Sequence, residues 1–141
     1  MDAGWRLAVA AVFVWLGMVL AISFLETPLK FRAPGIDLRL GLGIGRLVFR
    51  ALNVCEMVLA VVIALALFTH EITLGLNAAV TVAVAALLIQ TVLVRPFLTG
   101  RTSSVLAGVY RPRSVGHYVY VALEVVKVIA LIIAGVVLTA A

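Results

Sequence analysis

The 141-residue chain is 65% hydrophobic and only 12% charged, with a mean hydropathy of +1.28 and a net charge of +5. Soluble domains are about 45–50% apolar and about 25% charged, so the composition excludes an ordinary water-soluble protein. It indicates a single integral membrane domain over residues 1–141. The lone cysteine, Cys55, excludes an intrachain disulfide and a thiolate metal cluster.

The first predicted span covers residues 7–25. Its start could be the n-region of a signal peptide, but the charge pattern places the N-terminus outside, and the sequence after Ala21 is a poor cleavage site. Gly17, Ala21 and Ser23 are small enough to permit a close helix contact. Pro28 disfavours helix at the residue before it, so we expect it to kink or end the span.

The loop after the first span contains two glycine signals. Pro34-Gly35 predicts a turn. Gly41, Gly43 and Gly45 alternate with apolar residues, but a phosphate-binding loop would need a preceding strand and a following Lys-Ser/Thr, which are missing. We therefore expect a flexible hinge leading into the second span.

The second and third predicted spans cover residues 47–68 and 72–94. The connection of three residues between them predicts an antiparallel hairpin. Arg50 can extend to the headgroups, whereas Asn53 and Glu56 lie too deep to do so. Gln90, near the end of the third span, needs a partner on a neighbouring helix.

The fourth predicted span covers residues 117–138 and carries charges within its length. A basic loop precedes it, whose middle, Ser103 to Tyr110, we expect at the membrane interface. On a helix the polar residues of this span fall on one face. Charges at membrane depth are expensive, so this face should contact protein or water rather than lipid. The face consists of His117, Tyr120, Glu124 and Lys127.

The basic residues predict the orientation. They lie in the first and third loops and their flanks: Lys30, Arg32, Arg39, Arg46, Arg50, Arg95, Arg101, Arg111 and Arg113. Such loops are topology signals that also contact anionic headgroups, so we expect no nucleic-acid partner. The positive-inside rule places both loops in the cytoplasm and both termini on the non-cytoplasmic side. We expect an all-α, four-helix transmembrane bundle in the bacterial inner membrane.

Polar residues of the spans match in depth. At 1.5 Å per residue, Glu56 lies about 15 Å and Lys127 about 16 Å from the cytoplasmic ends of their spans. We expect ion pairs between Glu56 and Lys127 and between Glu124 and Arg50. Two interpretations stay open: structural ion pairs that fix the helix register, or a half-channel that binds an ion, a proton or a polar substrate. The expected cluster contains Arg50, Asn53, Glu56, Gln90, His117, Tyr120, Glu124 and Lys127.

Catalytic and cofactor patterns are lacking. A haem would need two facing histidines, but His70 and His117 are predicted at opposite membrane faces. A zinc site needs three or four converging ligands, and His117 with Glu124 is only a pair. No arrangement for nucleophilic or paired-carboxylate catalysis is evident, so we expect neither an enzyme nor a bound metal or cofactor.

Residues 15–49 resemble the transmembrane-protein-205-like family of small four-span proteins. The resemblance rests on a glycine in the first span, a Pro and a Phe after it, and a Gly and a Phe entering the second: Gly17, Pro28, Phe31, Gly45 and Phe49. It implies a four-span fold more than a function. The Glu124–Lys127 pair is not part of this pattern.

Three functions are compatible with these features. The first is an accessory or assembly subunit of a larger membrane complex, whose partners are the lipid bilayer and other membrane subunits. The second is a small transporter or channel that uses the buried Glu and Lys side chains and, with so few spans, works as an oligomer. The third is a lipid- or quinone-binding protein whose polar cluster holds a headgroup.

Overall fold

The computed structural model describes residues 1–94, 107–108 and 115–141, without the side chains of residues 115–117. Within this part of the chain, four helices are long and apolar enough to cross a membrane. They fit a multi-pass, all-helical membrane bundle. We label them α1 (Ala3–Lys30), α2 (Leu38–Leu67), α3 (Leu74–Val94) and α4 (Val115–Ala140).

Side-chain caps set where three of these helices begin. Asp2 Oδ1 accepts a hydrogen bond from the Trp5 N–H at 2.8 Å, and Asp37 Oδ1 accepts one from the Leu40 N–H at 2.7 Å. Thr73 does the same for α3. Such caps satisfy N–H groups that have no partner in the first helical turn. The Asp37 cap starts α2 at Leu38, so the helix begins before the predicted second span of residues 47–68.

The glycine-rich run is therefore helical, and the prediction of a flexible hinge there was wrong. Gly41 and Gly45 lie one turn apart in α2, beneath the end of α1. A Cβ atom at Gly41 would collide with the Phe31 ring, and one at Gly45 would lie 3.1 Å from Lys30 Nζ. The glycines thus permit a close approach between α1 and α2. The Pro34-Gly35 turn is confirmed, with Gly35 at φ +84°.

Pro28 does not end the first helix. A π-helical segment, Leu20–Glu26, precedes the final α-helical turn, Thr27–Lys30. The Thr27 N–H bonds to the Ile22 carbonyl, which also accepts from Thr27 Oγ1 at 2.9 Å. Pro28 then falls in the first turn of a new α-helical stretch, where its missing N–H is tolerated.

The helices pack in the order α2, α1, α4, α3. α1 packs along both α2 and α4, and α4 packs most extensively against α3. The connection from α2 to α3 is short, but these two helices contact each other only sparsely, so the hairpin that the sequence predicted does not form a packed pair. The apolar core runs through this layer, and Trp15 is among its largest fully buried side chains.

Close contacts join the ends of α1, α2 and α4 near the N-terminus. Trp5 Nε1 donates to the Leu138 carbonyl at 2.9 Å, and the Trp5 and His70 rings are 5.8 Å apart. His70 Nε2 lies 2.8 Å from Asp2 Oδ2. The hydrogen bond from the Trp5 backbone, followed by that from His70, lowers the pKa of Asp2 below its ordinary value of 3.8.

The expected close contact at Gly17 is not found. Gly17 is exposed, and a Cβ built on it would meet nothing within 4 Å. Of the Ser103 to Tyr110 segment, the described residues include only the turn at residues 107 and 108, so its interfacial placement lies outside the described structure.

Candidate functional site: an intramembrane ion cluster

Lys127 lies at the centre of a polar cluster within the bundle. Its Nζ atom is 2.6 Å from Glu56 Oε1 on α2 and 2.8 Å from Gln90 Oε1 on α3. On its own helix, Glu124 Oε1 lies 2.7 Å away. This last contact is ionic and does not meet hydrogen-bond geometry. The ammonium group therefore contacts oxygen atoms from three helices.

α1 adds two donors to the carboxylates of this cluster. Trp15 Nε1 donates to Glu56 Oε1 at 3.0 Å, and Ser23 Oγ donates to Glu124 Oε2 at 3.1 Å. Hydrogen bonds to a charged acceptor are stronger than those between neutral groups. With these contacts, each of the four described helices supplies a polar side chain to the cluster.

π-helical geometry accompanies two of these contacts. Ser23 belongs to the π-helical segment of α1, and Gln90 opens the π-helical segment Gln90–Val94 that ends α3. Gln90 also donates through Nε2 to the Tyr120 carbonyl at 3.1 Å. Such segments often occur at functional sites, because the widened turn re-aims side chains. Here both turns present polar groups to α4.

The cluster is closed to its surroundings. The side chains of Glu56, Gln90 and Lys127 are 0% exposed, and that of Glu124 is 2% exposed. Removing charges from water costs several kcal/mol per ion unless partners compensate. The short contacts among these groups are that compensation.

Six of the eight residues that the sequence singled out are buried or contact the cluster. Glu56, Gln90, Glu124 and Lys127 form its centre, and the expected pairing of Glu56 with Lys127 is present. Asn53 is buried one turn before Glu56. The buried Tyr120 contributes its carbonyl oxygen, while its ring packs edge-on against Phe49 with centroids 6.0 Å apart.

The expected pairing of Glu124 with Arg50 was wrong. Arg50 is exposed, and Glu124 pairs with Lys127 on its own helix. The matching positions along the spans predicted the contact between Glu56 and Lys127, but Arg50 lies six residues before Glu56, which places it about 120° around the helix. The side chain of His117 lies outside the described residues, so its proposed membership of the cluster stays a prediction.

Trp15 and Ser23 were not expected at the site. The sequence could have predicted a polar contact for Trp15, because the N–H of a buried tryptophan within a span usually donates a hydrogen bond. Ser23 was considered only as a small residue. Its role depends on the widened turn of α1, which the sequence did not predict.

The chemistry that this arrangement permits is charge balancing and proton exchange between carboxylates. Glu56 Oε1 and Glu124 Oε1 both contact one ammonium nitrogen, so Lys127 bridges the two acids. Among the described residues, no group of three His, Cys, Asp or Glu converges in a way that would hold a metal ion.

Comparisons with known proteins give this site no precedent. No family model, no curated protein and no solved structure matches the chain. The resemblance of residues 15–49 to the transmembrane-protein-205-like family therefore stays a prediction.

Proposed function

We propose that this protein is an accessory or assembly subunit of a larger complex in the bacterial inner membrane. The supporting observation is the closed cluster around Lys127, whose central side chains have almost no exposed surface. Contacts that join all four described helices in this way hold the helices in register and leave the outer, apolar surface to contact neighbours. A fixed bundle with an apolar exterior suits a subunit that supports other membrane proteins.

Photo-crosslinking in native membranes tests this role. A photoreactive residue is placed, one position at a time, at side chains that are more than half exposed on different helices: Leu47, Leu65, Leu74 and Val136. We expect the positions on one side of the bundle to be crosslinked to the same polypeptide, so that each of them gives an adduct of the same mass. Native mass spectrometry should then give a fixed stoichiometry with that polypeptide. Lipid adducts at every position would contradict the proposal.

A second candidate is a small oligomeric transporter or channel for protons or cations. One observation favours it: in the described cluster, the carboxyl groups of Glu56 and Glu124 share the single ammonium group of Lys127. With all three ionised, the cluster carries one excess negative charge at membrane depth, which is costly. A bound proton or monovalent cation would balance it.

Flux measurements in reconstituted vesicles distinguish the two candidates. For a transporter, Glu56→Gln should abolish proton or cation flux, while Glu71→Gln, at an exposed position between α2 and α3, should leave it unchanged. Crosslinks between copies of the chain would agree with this candidate. Absence of flux above that of protein-free vesicles would exclude it.

The proposed orientation, with both termini on the non-cytoplasmic side, rests on the basic first and third loops. A single cysteine placed at Arg32 or at Thr139, in a chain whose Cys55 is replaced by Ala, can be labelled with a membrane-impermeant thiol reagent. In intact cells, label at residue 139 and none at residue 32 is expected. The reverse pattern would contradict the orientation.

A further inference from the structure

A cavity of about 520 Å³, which is a largely open depression in the surface of the bundle, lies beside the last turns of α1, next to the segment that leads into α2. It shares no lining residue with the cluster around Lys127. Its walls are mostly apolar: Ala21, Leu25, Leu29, Ala33, Ile36 and Ile44. Glu26 and Lys30 add two charged groups to this lining, so the cavity joins an apolar wall to a polar edge at the end of a membrane span.

Lys30 is the first reason to expect a ligand. Its side chain is only 7% exposed, and its Nζ atom packs against the backbone of Gly45, which has no side chain. Glu26 Oε1 forms an ion pair with this Nζ atom at 3.8 Å, a distance that is too long for a hydrogen bond. The Phe31 ring centroid lies 5.4 Å away. Among the described residues, Nζ therefore has no hydrogen-bond acceptor for its three N–H groups.

The chemistry that best satisfies such a group is a phosphate. Its oxygen atoms accept strong, charge-assisted hydrogen bonds from an ammonium group. A phosphate on a lipid would also place acyl chains against the apolar wall of the cavity. Because acyl chains are as apolar as this wall, they gain close packing against it rather than removal from water, and the headgroup contacts decide which lipid binds.

Glu26 narrows the class of lipid. Its side chain is 36% exposed and lies one helical turn before Lys30, on the same cavity. A purely anionic headgroup would face this carboxylate at close range, which is unfavourable. A headgroup that carries both a phosphate and a primary ammonium would match Lys30 with the first and Glu26 with the second.

We propose that this cavity binds a phosphatidylethanolamine-type lipid, with its phosphate on Lys30 and its ammonium group on Glu26. The site is separate from the Lys127 cluster and does not depend on the proposed accessory role. The acyl chains lie along Leu25, Leu29 and Ile44, and the Glu26–Lys30 spacing selects the zwitterionic headgroup. The primary amine distinguishes this lipid from phosphatidylcholine, whose quaternary ammonium cannot donate a hydrogen bond to Glu26.

The test measures lipid retention by native mass spectrometry of the full chain. The purified, delipidated protein is titrated with phosphatidylethanolamine, phosphatidylglycerol and phosphatidylcholine that carry identical acyl chains. We expect phosphatidylethanolamine to bind about tenfold more tightly than either of the others, the difference made by one charge-assisted hydrogen bond. Equal retention of the three lipids, or preference for phosphatidylglycerol, would overturn the proposal.

Variants assign the two charges. Lys30→Met should lower phosphatidylethanolamine binding at least tenfold, whereas Glu26→Gln should remove the preference over phosphatidylglycerol and leave phosphatidylglycerol binding intact or stronger. Arg32→Met, at an exposed position of the same loop, is the matched control and should bind as the wild type does. Unchanged selectivity in both Lys30→Met and Glu26→Gln would contradict the assignment.

A steric variant keeps the proposal testable if a charge variant fails to fold. Ala33 is exposed and lines the cavity, so Ala33→Phe should fill the space without burying a charge. We expect it to abolish lipid retention while the helical circular dichroism stays unchanged. A well-folded Ala33→Phe protein with normal retention would overturn the proposal.

Discussion

Lys127 Nζ on α4 lies 2.6 Å from Glu56 Oε1 on α2, although the backbones of these two helices otherwise pack only sparsely against each other. The long lysine side chain thus joins two helices whose backbones have few close contacts. α1 donates to the same carboxylate through Trp15. This carboxylate oxygen is therefore a shared point of contact for three helices.

Replacing Lys127 should be the most damaging change in the cluster. Lys127→Met leaves Glu56 and Glu124 buried without a counter-charge, and we expect the free energy of unfolding to fall by about 3–5 kcal/mol. Glu56→Gln should cost less, because Lys127 keeps Glu124 as its partner. Unfolding in mixed micelles, followed by circular dichroism, measures both. A larger loss for Glu56→Gln than for Lys127→Met would contradict this account.

The indole N–H of Trp15 should contribute more than that of Trp5. Trp15→Phe keeps most of the ring volume but removes a donor to a buried carboxylate, at a cost of about 1–3 kcal/mol. Trp5→Phe removes a half-buried donor to a neutral backbone carbonyl and should cost about 0.5–1.5 kcal/mol. The same unfolding measurement compares the matched variants. Equal losses would show that Glu56 draws no special stabilisation from the indole.

Two glycines of α1 should differ sharply in their tolerance of alanine. A Cβ at Gly4 would lie 2.9 Å from the Ala66 carbonyl oxygen, a backbone atom that cannot easily move. Gly4→Ala should therefore cost about 1–3 kcal/mol through overpacking. Gly17→Ala meets nothing within 4 Å and should be neutral, or stabilising by about 0.5–1 kcal/mol. The thermal midpoints of the two variants provide the comparison.

Asp2 should make stability depend on pH in the acid range. Its pKa in the folded protein is lowered, so its contribution is complete above the unfolded value of 3.8 and is lost as the pH falls through the lower folded value. The difference in thermal midpoint between wild type and Asp2→Asn should therefore shrink on acidification. Asparagine preserves the helix cap, so Asp2→Ala should be less stable than Asp2→Asn at every pH. A constant difference between wild type and Asp2→Asn would contradict the prediction.

The sequence was sufficient to predict the helical architecture and the pairing of Glu56 with Lys127. The architecture follows from the length of the apolar segments, which matches the thickness of the bilayer. The ion pair follows because opposite charges at the same distance from the ends of their spans are each stabilised by the other. The Arg50 pairing failed because depth says nothing about direction around the helix axis. The positions of the charged residues along each span can be read from the sequence. The direction in which each side chain points depends on how its helix is rotated in the bundle, and the sequence does not give that rotation.

Local backbone geometry was the other source of error. The sequence predicted that the glycines of residues 41–45 would form a hinge, yet that run is helical, and the first helix continues past Pro28 to Lys30 rather than ending there. Before Pro28 the compensation is local, because the widened turn of α1 supplies the Ile22 carbonyl as an acceptor. At the glycines a tertiary contact outweighs the local preference, because Phe31 and Lys30 pack over Gly41 and Gly45. The contacts over the glycines exist only once α1 and α2 meet.

The charged residues of α4 also bear on how the chain enters the membrane. An Asp, Lys or Arg at the centre of a helix disfavours insertion by about 2.5–3.5 kcal/mol, and α4 carries Glu124 and Lys127 near its middle. During synthesis α4 emerges after the helices that supply Trp15, Ser23, Glu56 and Gln90. Earlier segments that are already in the bilayer can therefore act as a template that receives α4 as it leaves the translocon.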